Sequence, residues 1–202
     1  VVVLELNLQA VGVDSVGGDD EMAGAMAAAH LIGLGHRRLA VFDPEPPVPA
    51  LQNRMQGFVK FASLNGIDDV RVFRAGTQLG EDCTARSYAE FRRCVQAGEM
   101  DCTGLFCLSE IPAAGILAAA RELRIDVPGS LSIVGAGGVS DAAYFSPPLT
   151  VVAQDLTRWA AETFGIISAR LGGDNSPARW VPVKPDLILR TSTAQTGAGA
   201  AV

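Results

Sequence analysis

A chain of 202 residues, 49% hydrophobic and 19% charged, is long enough to bury a sizeable core, as one large domain or as two small lobes. Its net charge of −6 and pI near 4.9 argue against a nucleic-acid face, since phosphate recognition needs clustered Lys and Arg, and here only Gly35-His36-Arg37-Arg38 and Phe91-Arg92-Arg93 are local concentrations. The longest uncharged apolar stretch, Ile111 to Ala120, is half a membrane span; no basic leader opens the chain, and four cysteines without metal-like pairing fit the reducing cytoplasm.

Taken in order, Val1 to Leu6 reads as a buried strand and Val11 to Val16 as a second extended piece. Asp19 or Asp20 then caps a helix, because a short carboxylate accepts from its unsatisfied N–H groups; the helix runs to about Leu34, closed by Gly35. Leu39 to Phe42 is the next strand. The loop Pro44-Glu45-Pro46-Pro47-Val48-Pro49 leads into a helix from about Leu51 to Asn65, and Val70 to Arg74 is a strand followed by a helix over Cys83 to Gln96. Leu105 to Leu108 is too short an apolar run for a helix, whereas Ile111 to Leu123 carries its apolar residues at helical spacing, with Pro112 in the first turn. Leu131 to Val134 is a second buried strand that Gly135-Ala136-Gly137-Gly138 stops. Strand, crossover helix and strand make a βαβ unit, hence an α/β fold with a parallel sheet whose ligands lie beyond the carboxyl ends of the strands. Thr150 to Ala153 and Val181 to Arg190 are further strands, separated by a helix over Leu156 to Leu171 with Trp159, Phe164, Ile167 and Leu171 on one face, and 194–202 reads as a frayed tail.

Several stretches resemble one family. Asp19-Asp20 with His30-Leu31-Ile32-Gly33-Leu34-Gly35-His36-Arg37-Arg38-Leu39-Ala40, the Arg54-x-x-Gly57-Phe58 motif, Val127-Pro128, Val134-Gly135, Pro147-Pro148-Leu149-Thr150 and the closing Leu187 to Thr193 are similar to the effector-binding domain of LacI/GalR-family bacterial transcription regulators. The resemblance implies a two-lobed, periplasmic-binding-protein-like (type I) fold in which residues 1–17 and 154–180 form a truncated N-terminal lobe. Residues 18–152 and 182–193 would form the C-terminal effector-binding lobe, with a cleft that closes by hinge motion. It further implies a homodimer, a small-molecule effector (a sugar, a sugar derivative or another small metabolite), and operator DNA contacted only through a helix-turn-helix headpiece absent from these residues.

The resemblance places an effector-contacting arginine at Arg54, whose rigid fork suits hydroxyls, carboxylates or phosphates. Ser109 stands where the family has an effector-contacting Asn, and Gly137 where it has an Asp that accepts from sugar hydroxyls. Glu110 offers a substitute carboxylate, Gln154 lies at a lobe crossing, and Glu5 and Asn7 end the first strand facing the cleft. With the Asp replaced and Arg54 kept, the expectation is a ligand bearing negative charge or carbonyl acceptors. The alternative is the sugar-binding component of an ABC transporter, which shares the fold. An enzyme finds little support: there is no G-x-S-x-G elbow, only two His for a triad, no phosphate loop in Gly135-Ala136-Gly137-Gly138, and so no cofactor site. Asp14, Asp19 and Asp20 with His30 and His36 lack the spacing of metal ligands and read as caps and helix-end residues.

Overall fold

A computed structural model describes residues 1–44, 48–78, 80–137 and 140–197; the loop positions 45–47, Gly138 and the tail 198–202 named above lie outside them. Parallel βαβ winding dominates. Strands β3 (Leu39–Asp43), β4 (Arg71–Arg74), β5 (Gly104–Cys107), β6 (Ser132–Gly137), β7 (Thr150–Ala153) and β9 (Asp186–Ile188) form one sheet in the order β4-β3-β5-β6-β7-β9, parallel except for β9. Alternation along the strands divides its two faces. Ala40, Phe42, Leu105, Cys107 and Ile133 pack on one side with Phe91 and Ile116, from helices α3 (Cys83–Gln96) and α4 (Glu110–Glu122). Leu39, Val41, Phe106 and Val134 pack on the other with Leu31 and Phe58, from α1 (Asp20–Gly33) and α2 (Pro49–Leu64), where the rings of Phe58 and Phe106 stack at 5.1 Å between centroids.

The smaller sheet orders β1 (Val2–Leu4), β2 (Asp14–Gly18) and β8 (Trp180–Val183), all parallel, with α5 (Leu156–Leu171) on one face. Trp159 and Ile166, seven residues apart and so on one helical face, pack against Val16 and Val183. Phe164, Ile167 and Leu171, expected on that face, are exposed, because three strands offer the helix only a narrow strip. β1 is likewise an edge and not the buried strand expected: Leu4 and Leu6 are about half exposed, since β1 has a neighbour on one side only. Asp14, buried at the foot of β2, holds the end of α5. Its two carboxylate oxygens accept from Arg170 Nε and Nη2 at 2.8 and 2.9 Å, and that fork keeps its pKa down at about 2.

Three other boundaries differ from expectation, each for a backbone reason. β6 does not stop at Val134: Gly135 and Gly137 extend the ladder with β7, and Gly135 has no side chain to strike Leu149, whose Cδ2 would lie 2.9 Å from a Cβ there. The stretch read as one strand over Val181 to Arg190 divides around Lys184-Pro185 into β8 and β9, so the chain leaves the small sheet after Val183, beyond the expected passage near 181. Residues 194–196 are anchored rather than frayed: Ala194 N donates to Ser132 Oγ, Thr196 N to the Leu34 carbonyl at 2.9 Å, and His36 Nε2 meets the Ala194 carbonyl at 3.1 Å. Ser192 Oγ is buried, donating to the Ile133 carbonyl and accepting from Thr150 N, so the end of the chain is tied across the foot of the large sheet.

α1 and α2 cross in backbone contact. A Cβ on Gly24 would overlap the carbonyl oxygen of Arg54, and one on Gly57 would overlap that of Glu21. Gly57→Ala should therefore destabilise by about 1–3 kcal/mol through overpacking, whereas Gly165→Ala, in the exposed middle of α5 with nothing within 4 Å, should stabilise by up to ~1 kcal/mol through helix propensity. Urea unfolding of the two variants checks the opposite signs.

Candidate functional site

The carboxyl ends of the strands, where α/β sheets carry ligands, lie beside the three passages of chain between the sheets. The α1–α2 crossing sets Arg54 against the first turn of α1. Arg54 Nε donates to Asp20 Oδ1 at 2.8 Å and Nη1 to the Leu108 carbonyl at 2.9 Å, with both side chains about nine-tenths buried. Asp19 caps α1, accepting from Met22 N, so of the two candidate caps one serves the helix and the other serves Arg54. Burial pushes the Asp20 carboxyl above its usual pKa, Arg54 opposes that shift, and the charges of Glu5 and Asp19 add to it. The arginine expected to hold a ligand anion is thus already engaged by an internal carboxylate and a carbonyl.

Two cavities flank the start of α2. The inner one, about 340 Å³, opens beyond β3, β4 and β5 and is lined by Val48, Leu51, Thr77, Glu81, Ser109 and Pro112 among others. Ser109 is the N-cap of α4 but makes no capping bond with its side chain, and Thr77, 3% exposed, has no partner for its hydroxyl among the described residues. The second, about 320 Å³, lies at the crossing from the small sheet and is lined by Asn7, Gly18, Asp20, Asn53 and Trp180 among others. Glu5, held in a left-handed turn at φ 70°, donates its N–H to the Val16 carbonyl beside this cavity's rim at Gly17-Gly18.

Gly137 and Glu110 are explained together. A Cβ on Gly137, whose φ is 156°, would collide with the Glu110 carboxyl, which is nearly buried over it. A side chain at 137 would therefore require the Glu110 carboxyl to move aside, so the space beside Gly137 is filled from α4. Gln154 N donates to the Gly137 carbonyl at 2.7 Å, and the Gln154 amide stands 3.0 Å from where a Gly18 Cβ would be, joining the end of β7 to the end of β2. The seven expected residues thus fall into three adjoining groups: Arg54, Glu5 and Asn7 around Asp20; Glu110, Gly137 and Gln154 around the β6–β7 end; and Ser109 in the inner cavity. Asp20, read from the sequence only as a candidate cap, is the partner of Arg54, brought there by the close packing at Gly24 and Gly57; Thr77, Asn53 and Trp180 carried no local signal.

The remaining polar candidates are structural. His30 Nε2 meets Thr193 Oγ1 at 3.0 Å and His36 Nδ1 meets Thr103 Oγ1 at 3.0 Å, both far from the carboxyl ends of the strands. A third cavity, at the amino ends, is lined by charges that answer one another, such as Arg71 and Asp101 at 3.3 Å. The four cysteines are free thiols, and among the described residues no helix is long and apolar enough to cross a membrane.

Removing the guanidinium strands a buried carboxylate, so Arg54→Met should cost about 3–5 kcal/mol at neutral pH. The raised pKa of Asp20 makes its ionised form a burden above the ordinary carboxylate range, and losing Arg54 raises that pKa further. The deficit relative to wild type should therefore shrink as pH falls and Asp20 takes a proton, which urea unfolding between pH 4 and 8 checks.

Residues 28–193 match the family described as periplasmic binding protein-like domain. The chain is 31% identical over 180 residues to the HTH-type transcriptional regulator MalR of Streptomyces coelicolor, covering 87% of this chain and 51% of that protein. It is 24% identical over 192 residues to the HTH-type transcriptional repressor PurR of Photobacterium profundum, covering 95% and 56%. The chain thus spans about half the length of the curated relatives it matches. Among solved structures, a LacI family transcriptional regulator from Enterococcus faecalis with bound ribose superposes with a TM-score of 0.79 at 26% identity, over 96% of this chain and 68% of that one. A LacI transcriptional regulator from a Rhodococcus species gives 0.81 at 25%, over 96% and 69%.

Proposed function

The chain belongs to the periplasmic-binding-protein-like family, in the form of the effector-binding domain of LacI/GalR-type transcriptional regulators, and from that premise we propose that it senses a small molecule and passes the signal to DNA binding. The observation that carries this reading is the inner cavity at the carboxyl ends of β3, β4 and β5, with Ser109 in its wall and the passages between the sheets beside it. A ligand there touches the large sheet, while the Gln154 bridge ties that sheet's end to the small one. Closure of the small sheet and α5 onto the large sheet is then the conformational variable that effector biases.

In this reading residues 1–17 and 154–183 act as one lobe and 18–153 with 184–193 as the other. The Enterococcus faecalis relative carries ribose, which supports a small-molecule effector of similar size here. Operator DNA is reached through a headpiece outside these 202 residues, and the domain contributes to a homodimer. The relatives this chain matches are transcriptional regulators, which supports a binding role for the site's hydroxyls and carboxylates.

Three readouts on the purified chain test the proposal. A cognate small molecule at 100 times its Kd should stabilise the fold by about 2.7 kcal/mol and raise the thermal midpoint accordingly. Sedimentation equilibrium should show mass above the monomer's 21.0 kDa. Titration with duplex DNA should show no sequence-specific binding at any salt concentration, the chain being net acidic. A screen of sugars, sugar phosphates, nucleosides and neutral carbonyl compounds that leaves the midpoint unmoved would overturn the effector reading.

A further inference from the structure

We infer that the foot of the large sheet is a histidine clasp that acid opens: the neutral side chains of His36 and His30 hold residues 193–196 in place, and protonation releases them. His36, 3% exposed, stands between Thr103 Oγ1 at 3.0 Å and the Ala194 carbonyl at 3.1 Å. A carbonyl can only accept, so Nε2 carries the proton and Nδ1 accepts from the Thr103 hydroxyl. Both ring nitrogens are thereby satisfied in the neutral form. The ring is packed tightly there, since a Cβ on Gly104 at the start of β5 would stand 3.3 Å from His36 Cγ. A second proton, on Nδ1, breaks the bond from Thr103 and puts a charge into this dry shell. His30 repeats the arrangement in the last turn of α1, with Nε2 3.0 Å from Thr193 Oγ1 and that oxygen 3.2 Å from Thr150 Oγ1.

No carboxylate meets either imidazole among the described residues. Of the charged groups on the surrounding elements, Arg37 donates to the His36 carbonyl at 3.0 Å, Arg38 to the Asp101 carbonyl at 2.8 Å, and the Asp101 carboxylate pairs with Arg71 at 3.3 Å. Asp126, ahead of β6, lies against Gly129, and Arg190, beyond β9, donates to the Leu149 carbonyl at 2.6 Å. Residues 191–197 carry no charged side chain. Burial holds both imidazoles below their ordinary pKa; the charge of His36 adds to the shift of His30, and the Ala194 carbonyl opposes that of His36. A released imidazole takes its proton near pH 6.5 and a clasped one only below that, so the clasp is at full strength above about pH 6.5 and weakens as the pH falls from there. β9 meets β7 in three registered pairs and arrives from β8 through Lys184-Pro185. Unclasping therefore leaves the outer edge of the large sheet, and the third passage between the sheets, held at that end by Ser192.

Two-dimensional NMR of the ¹⁵N-labelled chain between pH 8 and 5 tests the clasp. The His36 ring is expected in its Nε2–H form at pH 8 and to titrate below pH 6.5. Hydrogen-exchange protection of the Ala194 and Thr196 amides, corrected for the intrinsic effect of pH, is expected to fall about tenfold from pH 7.5 to 5.5, while the β5 amides keep theirs. His36→Gln, whose amide still donates but takes no proton, should lose most of that pH dependence, and His30→Gln part of it. Equal protection at both pH values, or a folded His36 that titrates at or above pH 6.5, would overturn the clasp. So would a fall shared equally by the β5 amides, which marks general acid unfolding, or one that persists unchanged in the double His30→Gln, His36→Gln variant. Should that variant not fold, the wild-type titration and exchange decide alone.

Discussion

Everything at the carboxyl end of the large sheet depends on how closely α1 and α2 approach. Gly24 and Gly57 let the two backbones touch, and that contact fixes what their preceding turns can do. Asp20 lies four residues before one glycine and Arg54 three before the other, so the crossing delivers a carboxylate and a guanidinium to the same spot. The second donor of Arg54 then reaches the Leu108 carbonyl just past β5, two residues before α4 begins. A packing constraint made of two missing side chains thereby positions charged groups drawn from α1 and α2 and the backbone end of β5.

The fold was legible because its signals are local and repeated. Short apolar runs at 39–42 and 105–108, helical spacing at 111–123 and the cap at Asp19 each dictate one element, and their alternation dictates a parallel sheet. What was not legible depended on neighbours remote in sequence. The exposure of Phe164 and Leu171 follows from the small sheet having three strands, and the continuation of β6 through Gly135 and Gly137 follows from β7 lying alongside.

The site divides in the same way. Positions fixed by a motif, Arg54 and Ser109, fall at the carboxyl end of the large sheet as expected. Their chemistry does not follow from position, because a side chain's availability is decided by its partners. Arg54 is engaged by Asp20, and the space beside Gly137 is taken by the Glu110 carboxyl, contacts that no local pattern announces. Thr77 gives no sequence sign at all; a threonine in a loop is ordinary, and only its burial without a partner among the described residues sets it apart.

The tie at the foot of the large sheet also constrains the order in which the molecule can be made. β9, Ser192 and Thr196 complete ladders and bonds begun by β7, Ile133 and Leu34, more than thirty residues earlier in every case. Between them the chain detours through α5 and β8, which belong to the other sheet. On the ribosome the six-stranded sheet therefore stays open along β7 until the last dozen described residues emerge, and by then the small sheet has its third strand. Two units that look separable in space are interleaved in time, and the large sheet reaches its final state only after the small one has all its strands.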